Sequence, residues 1–457
     1  MATLKVLNPA TGQVAATLPA DDAKSVRAKY GRARAAQPGW AKTRLKQRIH
    51  IIEKFRALVA AQAETLAKVL TTEVGKPISQ SRNELKGLLP RIDFFLAETA
   101  HTLRTERVSA DESMEERISH EPLGVVANIS AWNYPWFVGS NVFVPALLAG
   151  NAVLYKPSEF ASLTGTEIAR LLYEAGVPKD VFIPVIGGGA VGSALLEQPV
   201  DGVFFTGSVG TGKKIAEAVR GRLVKLQLEL GGKDPIYICE DADIAKAAAG
   251  VADGAFYNTG QSCCSVERIY VHEEIFDRFV EAFMAEVRKF KRGDPTQDST
   301  YIGPLTRAPQ LKVLEAQVKD AVRKGAKVLT GGHKGKSKGN WFEPTVLVNV
   351  DHSMAVMREE SFGPIIGLMA ARDDEDAVRL MNDTTYGLTA GIYTNDRARA
   401  ERVLAKVNAG SVYWNCCDRV SPRLPWSGVG DSGIGLTLST YGIETFTRPK
   451  AWHLRSP

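Results

Sequence analysis

Two residues able to make and break covalent bonds stand at the ends of structural runs in this 457-residue chain. Cys263, in the stretch GQSCCS, falls between a helical pattern and the strand-like ERIYVH, a junction where a side chain can face a cleft. A thiolate there would be a strong nucleophile and, once acylated, a good leaving group. Glu229 ends the apolar run VKLQLEL and precedes Gly231 and Gly232, so a carboxylate at a strand end is followed by mobile backbone. A carboxylate so placed can take a proton from water. Each also has an ordinary reading, a small core cysteine and a structural carboxylate, and taken singly the two residues leave both readings open.

Three glycine-rich patterns compete as a phosphate cradle. Gly187, Gly189 and Gly192 fit G-x-G-x-x-G after the run VFIPVI, but the helix they would open meets Pro199 after about two turns. No acidic residue follows about 20 positions on to hold a ribose. Gly207 to Lys214, GSVGTGKK, nearly spells a nucleotide-triphosphatase loop, yet Lys214 stands where a magnesium-binding hydroxyl belongs. What remains is a strand ending in FTGS that opens a helix, and whose free backbone N–H groups suit a diphosphate.

The elements that must position these groups alternate between strand and helix. Residues 22 to 105 read as helical. Then follow GVVANIS, the turn AWNYP, a helix, NAVLYKP, the helix LTGTEIARLLYEAG, VFIPVI, GVFFTGS, the helix TGKKIAEAVRG and VKLQLEL. This is the pattern of a doubly wound α/β domain on a parallel sheet. A second α/β series runs from ADIAKAAAGVADGAF to GSVYWN. The uncharged stretch from 123 to 155 is long enough to span a bilayer, but Pro135, Pro145 and its polar residues point to a buried strand–turn–helix–strand.

Composition narrows the classes further. Lysine plus arginine number 57 against 51 acidic residues, and the basic runs RKFKR and HKGKSKG read as solvated surface, so a nucleic-acid partner is not expected. Five cysteines, four of them in adjacent pairs, suggest neither a disulfide framework nor a zinc site, and the scattered histidines add no metal cluster. The start MATLKVLNPATGQ lacks a secretory pattern, which predicts a cytoplasmic, reduced protein with no membrane association.

Together the motifs closely resemble the aldehyde dehydrogenase superfamily over almost the whole chain. The marks are NPATG, EVGKP, AWNYP, LYKPSE, FTGS, LELGGKDP, GQSC, FEPTVL, EESFGP and SGVGDSGIG, in family order, with Glu229 and Cys263 at the family's spacing. The resemblance implies an α/β fold of three parts. These are a Rossmann-type NAD-binding domain (1–105 and 124–228, with part of 419–438), an α/β catalytic domain (229–418) and a small β oligomerisation arm (106–123 and 439–457). It implies a homodimer or homotetramer. It implies aldehyde oxidation to the acid with NAD, or possible use of NADP, through a thioester on Cys263 that Glu229 hydrolyses as base, with Asn133 and the Cys263 N–H holding the oxyanion. Cys264 would be a spectator. Lys156, Glu159, Gly187, Gly189, Phe205, Thr206, Gly207, Ser208, Glu360 and Phe362 would bind the cofactor, with Glu159 favouring NAD over NADP. No metal is implied.

The chain departs from the family where substrates are chosen. LPWSGVGDSG stands for the usual P-F-G-G-x-K pattern, and LTLS replaces the usual acidic and basic residues. Asn141 occupies the place, eight residues after Asn133, where the resemblance implies that succinate semialdehyde enzymes commonly carry arginine, which demotes a short dicarboxylic semialdehyde. Tyr134, Trp136, Tyr257 and Trp426 could line an apolar funnel for aliphatic or aromatic aldehydes, or box a quaternary ammonium as in betaine-type enzymes. Arg419 and Arg423 could meet a semialdehyde carboxylate. An inactive structural family member is the reading from another class, and the intact Cys263, Glu229 and Asn133 argue against it.

Overall fold

A two-residue period divides the apolar strands between facing cores. In the computed structural model, which describes residues 2–417 and 419–456, Val125, Ala127 and Ile129 of one strand enter a core with Val26 and Ala33 from the first helix, whereas Val126 enters the opposite core. Ala152 and Leu154 against Val153, and Val203 and Phe205 against Phe204, divide the same way. Both faces of this sheet are therefore covered, as a parallel sheet requires.

The sheet has six strands, in the order Gly433–Ile434, Lys225–Glu229, Gly202–Thr206, Val125–Ile129, Ala152–Lys156 and Phe182–Pro184. All neighbours pair in parallel except the first two. The chain leaves the central Val125–Ile129 toward one side and later returns on the other, so a crevice opens between the carboxyl ends of Val125–Ile129 and Gly202–Thr206. The stretch from 123 to 155 folds as expected, and no helix among the described residues is long and apolar enough to cross a membrane.

A second sheet of seven strands carries the other half, in the order Lys327–Thr330, Thr345–Val348, Ile365–Ala371, Val266–His272, Asp234–Ile238, Thr389–Tyr393 and Ser411–Trp414. Only the edge pair Lys327–Thr330 with Thr345–Val348 is antiparallel. A third, antiparallel sheet joins Thr447–Arg455, Met114–Pro122 and Glu106–Ala110. The protein is thus a doubly wound Rossmann-type unit, a second α/β unit and a small β arm.

Three elements are not evident from the sequence pattern. The N-terminal hairpin Thr3–Leu7 with Val14–Pro19 is short and mostly exposed, so burial imprints little periodicity on it. Strand Asp234–Ile238 contains Pro235, which argues against a central strand. The structure accommodates it by a register shift between Asp234 and Pro235. Ile365–Ala371 follows directly on the EESFGP loop, with no punctuation beyond Pro364.

Candidate active site and cofactor groove

Carboxyl-terminal strand ends supply the first groups. A groove of roughly 660 Å³ lies over the crevice, walled by Ile129 to Trp132, Lys156, Ser158 to Phe160, Gly189, Gly192, Ser193 and Phe205 to Ser208. Helix Val209–Val219 begins beside it, and its N-cap Ser208 makes no side-chain capping bond, so first-turn N–H groups remain for an anion. A Cβ on Gly207 would lie 2.4 Å from the Phe205 ring, so this tight turn excludes larger residues. Burial pulls the Lys156 ammonium below its ordinary pKa while nearby Glu159 opposes that shift. Volume, charge and donor set all fit a dinucleotide diphosphate with its ribose.

Of the expected cofactor residues, Lys156, Glu159, Gly189, Phe205, Thr206, Gly207 and Ser208 line this groove. Gly187, Glu360 and Phe362 do not. Gly187 packs on Val191, where a Cβ would meet it at 2.4 Å. Phe362 meets the wall edge-on through Trp132, with ring centres 5.5 Å apart. Glu360 accepts from the Gly232 N–H at 3.2 Å, and a Cβ on Gly231 would collide with its carboxylate at 2.3 Å. Desolvation, then the charge of Glu267, pushes the Glu360 carboxyl up to about 8. Lys214, Thr211 and Arg307 also line the groove. Lys214 was visible in the sequence only as the residue that spoils a nucleotide-triphosphatase loop.

Glu229 closes its strand as a fully enclosed carboxyl, and burial pushes it up to about 7. The Thr437 hydroxyl donates to Oε1, and that of Thr206 donates to Oε2 at 3.4 Å. Thr437 belongs to the departing LTLS segment, so the residue replacing a family charge sits directly on Glu229. Three residues beyond Glu229, Gly232 leaves its Cβ position 2.9 Å from the carbonyl oxygen of Cys263. The two candidate loops therefore pack against each other.

The loop before Cys263 is strained. Asn258 and Thr259 adopt φ of 53° and 60°, a left-handed region that non-glycine residues enter at a cost of about 1–3 kcal/mol each. Asn258 is held by its N–H to Gln80 at 2.9 Å, and by Nδ2 to the Asn133 carbonyl at 3.3 Å and to the Gln261 carbonyl at 3.1 Å. Asn258 thus ties the Cys263 loop to the Asn133 turn. Cys263 is half-buried while Cys264 is buried, with its sulfur 3.4 Å from the Ser262 hydroxyl. Phe362 is also left-handed, at φ 46°. Its N–H and that of Ser361 donate to Glu267, which Lys233 of GGKDP holds at 2.5 Å inside the protein. Neither Lys233 nor Glu267 was singled out by sequence, because a buried ion pair between distant motifs has no local pattern.

The four aromatic residues of the substrate reading sit in different surroundings. Trp136 and Trp426 are core residues, 0% and 5% exposed. Tyr134 has one face under the Lys76 ammonium, 3.7 Å from the ring centre, and stacks on Phe137 at 5.9 Å. Tyr257 packs edge-on to Tyr301 and accepts from Asn83. Arg419 is exposed beside a separate cavity of about 480 Å³ with Cys416 and Cys417, and Arg423 is also exposed. Among the described residues no group of three or more His, Cys, Asp or Glu is arranged to hold a metal.

The sequence model of the aldehyde dehydrogenase family matches residues 1–452. The chain belongs to that family. It is 35% identical to a 3,6-anhydro-alpha-L-galactose dehydrogenase of Streptomyces coelicolor, covering 99% of this chain and 93% of that one. It is also 35% identical to a putative succinate-semialdehyde dehydrogenase [NADP(+)] 2 of Mycobacterium ulcerans, over 96% of this chain and 86% of the other. A crystal structure of an E. coli NADP dependent enzyme superposes with a TM-score of 0.97 at 32% identity, covering 100% of this chain and 95% of that one. As an aldehyde dehydrogenase the chain is an NAD(P)-dependent oxidoreductase that converts an aldehyde to its acid by cysteine and glutamate chemistry.

Proposed function

We propose that Cys263, Glu229 and Asn133 carry this reaction. The supporting observation is the packing of the Glu229 strand end on the Cys263 loop, itself tied to Asn133 through Asn258. The Cys263 thiolate attacks the aldehyde carbon, forming a C–S bond, and the carbonyl oxygen becomes an oxyanion held by the Asn133 amide and the Cys263 N–H. When bound, the nicotinamide cofactor accepts the hydride that leaves this carbon. The acyl group then remains on sulfur as a thioester. Glu229 takes a proton from the attacking water, the C–S bond breaks, and the thiolate and free acid are restored. A carboxyl with a pKa of about 7 suits that task at neutral pH.

The groove lining supports Lys156 and Glu159 on the adenosine ribose and the FTGS turn on the diphosphate, while Glu360 and Phe362, outside that lining, take the nicotinamide end by the family resemblance. The domain boundaries read from the sequence are proposed as they stand, residue 418 itself lying outside the described residues. The three-stranded arm, with its exposed outer strands, suits pairing with a second copy in a homodimer or homotetramer. Five free thiols fit a reducing, cytoplasmic setting. The Lys76 ammonium already over the Tyr134 ring counts against a quaternary ammonium substrate there and leaves aliphatic and aromatic aldehydes as the proposed class. Cofactor reduction with neutral, aromatic, hydroxylated and carboxylated aldehydes tests the reading. Free acid released without coenzyme A is expected, and turnover that depends on coenzyme A would overturn the hydrolytic step.

A further inference from the structure

The short strand Gly433–Ile434 and the turn after it carry one polar side chain into the interior, next to the proposed base. Thr437 is 1% exposed and donates its hydroxyl to Glu229 Oε1, while the Thr206 hydroxyl donates to Oε2 at 3.4 Å.

The backbone on both sides of Thr437 is fixed. Its N–H donates to the Trp426 carbonyl at 2.9 Å, and its carbonyl accepts from the Trp426 N–H at 2.7 Å. Upstream, Gly433 pairs with Glu229 itself, so closely that a Cβ there would collide with the Leu228 carbonyl oxygen. Downstream, Leu438 holds φ 61° with ψ 176°, a conformation almost confined to glycine, and Ser439 is left-handed at φ 54°. Gly442 closes the turn: its N–H donates to the Leu438 carbonyl at 2.8 Å, and a Cβ would meet the Thr437 carbonyl carbon at 2.7 Å. Strain in successive non-glycine residues persists only where surrounding contacts over-determine it. Here those contacts converge on the placement of one hydroxyl.

What that hydroxyl can do follows from its single proton and two lone pairs. It donates to the ionised carboxylate and, once Glu229 has taken a proton, can accept from the carboxyl O–H. Glu229 therefore keeps a partner in both states. A charge in its place would act differently: a second carboxylate would compete for the same proton, and an ammonium would hold Glu229 ionised. The charged group that acts on Glu229 is the Arg91 guanidinium of helix Ile78–Thr102, itself held on Asn141 Oδ1 at 2.7 Å. Beyond the base, the Glu360 carboxylate lies against Gly231 and the Cys263 carbonyl against Gly232.

We propose that Thr437 is a positioning residue for deacylation, its hydroxyl anchoring Glu229 by Oε1 in both protonation states. This rests on the reading of Glu229 as the base. Burial drives the carboxyl toward its protonated form, and the Thr437 hydroxyl opposes that more than Arg91 does. Without the hydroxyl, Glu229 keeps its proton to higher pH.

An acetyl group loaded from p-nitrophenyl acetate tests this. The Cys263 thiolate attacks the ester carbon, p-nitrophenolate leaves, and water then hydrolyses the thioester to acetate. The activated ester makes hydrolysis the slow step, so p-nitrophenol release above the Cys263→Ala background follows it on both sides of pH about 7. In the wild type the rate should rise with pH and level off above that value. Thr437→Val keeps the shape without the hydroxyl. It should move the midpoint up by about one pH unit and slow hydrolysis about tenfold below the wild-type midpoint, the worth of a hydrogen bond to a charged group. The plateau should fall by a few-fold at most, since Thr206 still holds Oε2, and Thr437→Ser should restore most of the wild-type profile. If thermal unfolding and cofactor binding show that the Val variant does not fold, Thr437→Ala should give the same shift. A midpoint that does not move, or the same loss at every pH in the Val and Ser variants, overturns the proposal alone when Glu229→Gln has lost the reaction. Acetyl-enzyme hydrolysis in Glu229→Gln as fast as in the wild type overturns the reading of Glu229 as base and this proposal with it. Wild-type release no higher than the background overturns Cys263 as the nucleophile, on which both rest.

Discussion

The cofactor groove and the bond-making loops solve the same problem of positioning by different means. The groove is made largely of backbone at strand ends, small residues and one helix N-terminus, and its FTGS turn carries no left-handed non-glycine residue. The chemical half places Asn258, Thr259 and Phe362 in left-handed conformations and holds them with side-chain hydrogen bonds and the buried Lys233–Glu267 pair. A groove that binds a common cofactor can be generic, whereas a nucleophile must be fixed within about half an ångström, and strain is the cost of that precision.

If that contrast holds, damage to the chemical half should stop turnover without emptying the groove. Cys263→Ala is expected to abolish aldehyde oxidation while cofactor still binds, and Cys264→Ala to leave turnover within a few-fold. Cofactor titration beside steady-state rates measures both, and equal losses would show that the nucleophile is misassigned.

Glu229→Gln should slow turnover by about 10²- to 10⁴-fold, the usual worth of a general base. An initial burst of reduced cofactor, close to one per site, should survive, because acylation precedes the damaged step. Rapid mixing decides this, and loss of the burst as well would give Glu229 a part in activating Cys263. The same carboxyl sets a pH dependence. Burial raises its pKa to about 7, so the basic form that accepts the proton is lost as pH falls through that value. The deacylation rate should therefore rise with pH up to about 7 and level off above it, and the variant should lose this limb.

Lys233→Met strands a buried Glu267 carboxylate and should destabilise the protein by about 3 kcal/mol, measured by thermal unfolding. Adding Glu267→Met should recover much of the lost thermal stability, and a double variant as unstable as the single one would show that the charge itself matters little. The smallest effect belongs to the groove. Glu159→Gln should shift preference from NAD toward NADP by about 1–2 kcal/mol, since Glu159 is half-exposed beside Lys156, and a wild type that already prefers NADP would refute the role given to Glu159.

The same contrast decides what the sequence could reveal. Groove residues lie in short contiguous motifs, so LYKPSE and FTGS are legible, as are the strands and helices between them. Cys263, Glu229 and Asn133 are legible as candidates too, because each sits inside a short motif. Lys233–Glu267, Thr437 on Glu229 and Arg91 on Asn141 are not, since each joins residues far apart in the chain through a fold that no local window contains. The aromatic substrate residues are read from residue type alone, which says nothing of their surroundings. Trp136 and Trp426 are enclosed in the core, and the Lys76 ammonium sits over the ring of Tyr134.

The two-residue strand Gly433–Ile434 has a consequence for how the molecule comes into being. It closes the edge of the cofactor sheet against Lys225–Glu229, and it brings Thr437 to Glu229. During synthesis the sheet's first five strands emerge long before their sixth, and the whole catalytic domain is made in between. Until that late segment arrives, Lys225–Glu229 is an open strand edge, a surface prone to pairing with other chains. Completion of the active site therefore waits for that segment, and shortened chains that stop after the seven-stranded sheet should aggregate rather than bind cofactor weakly.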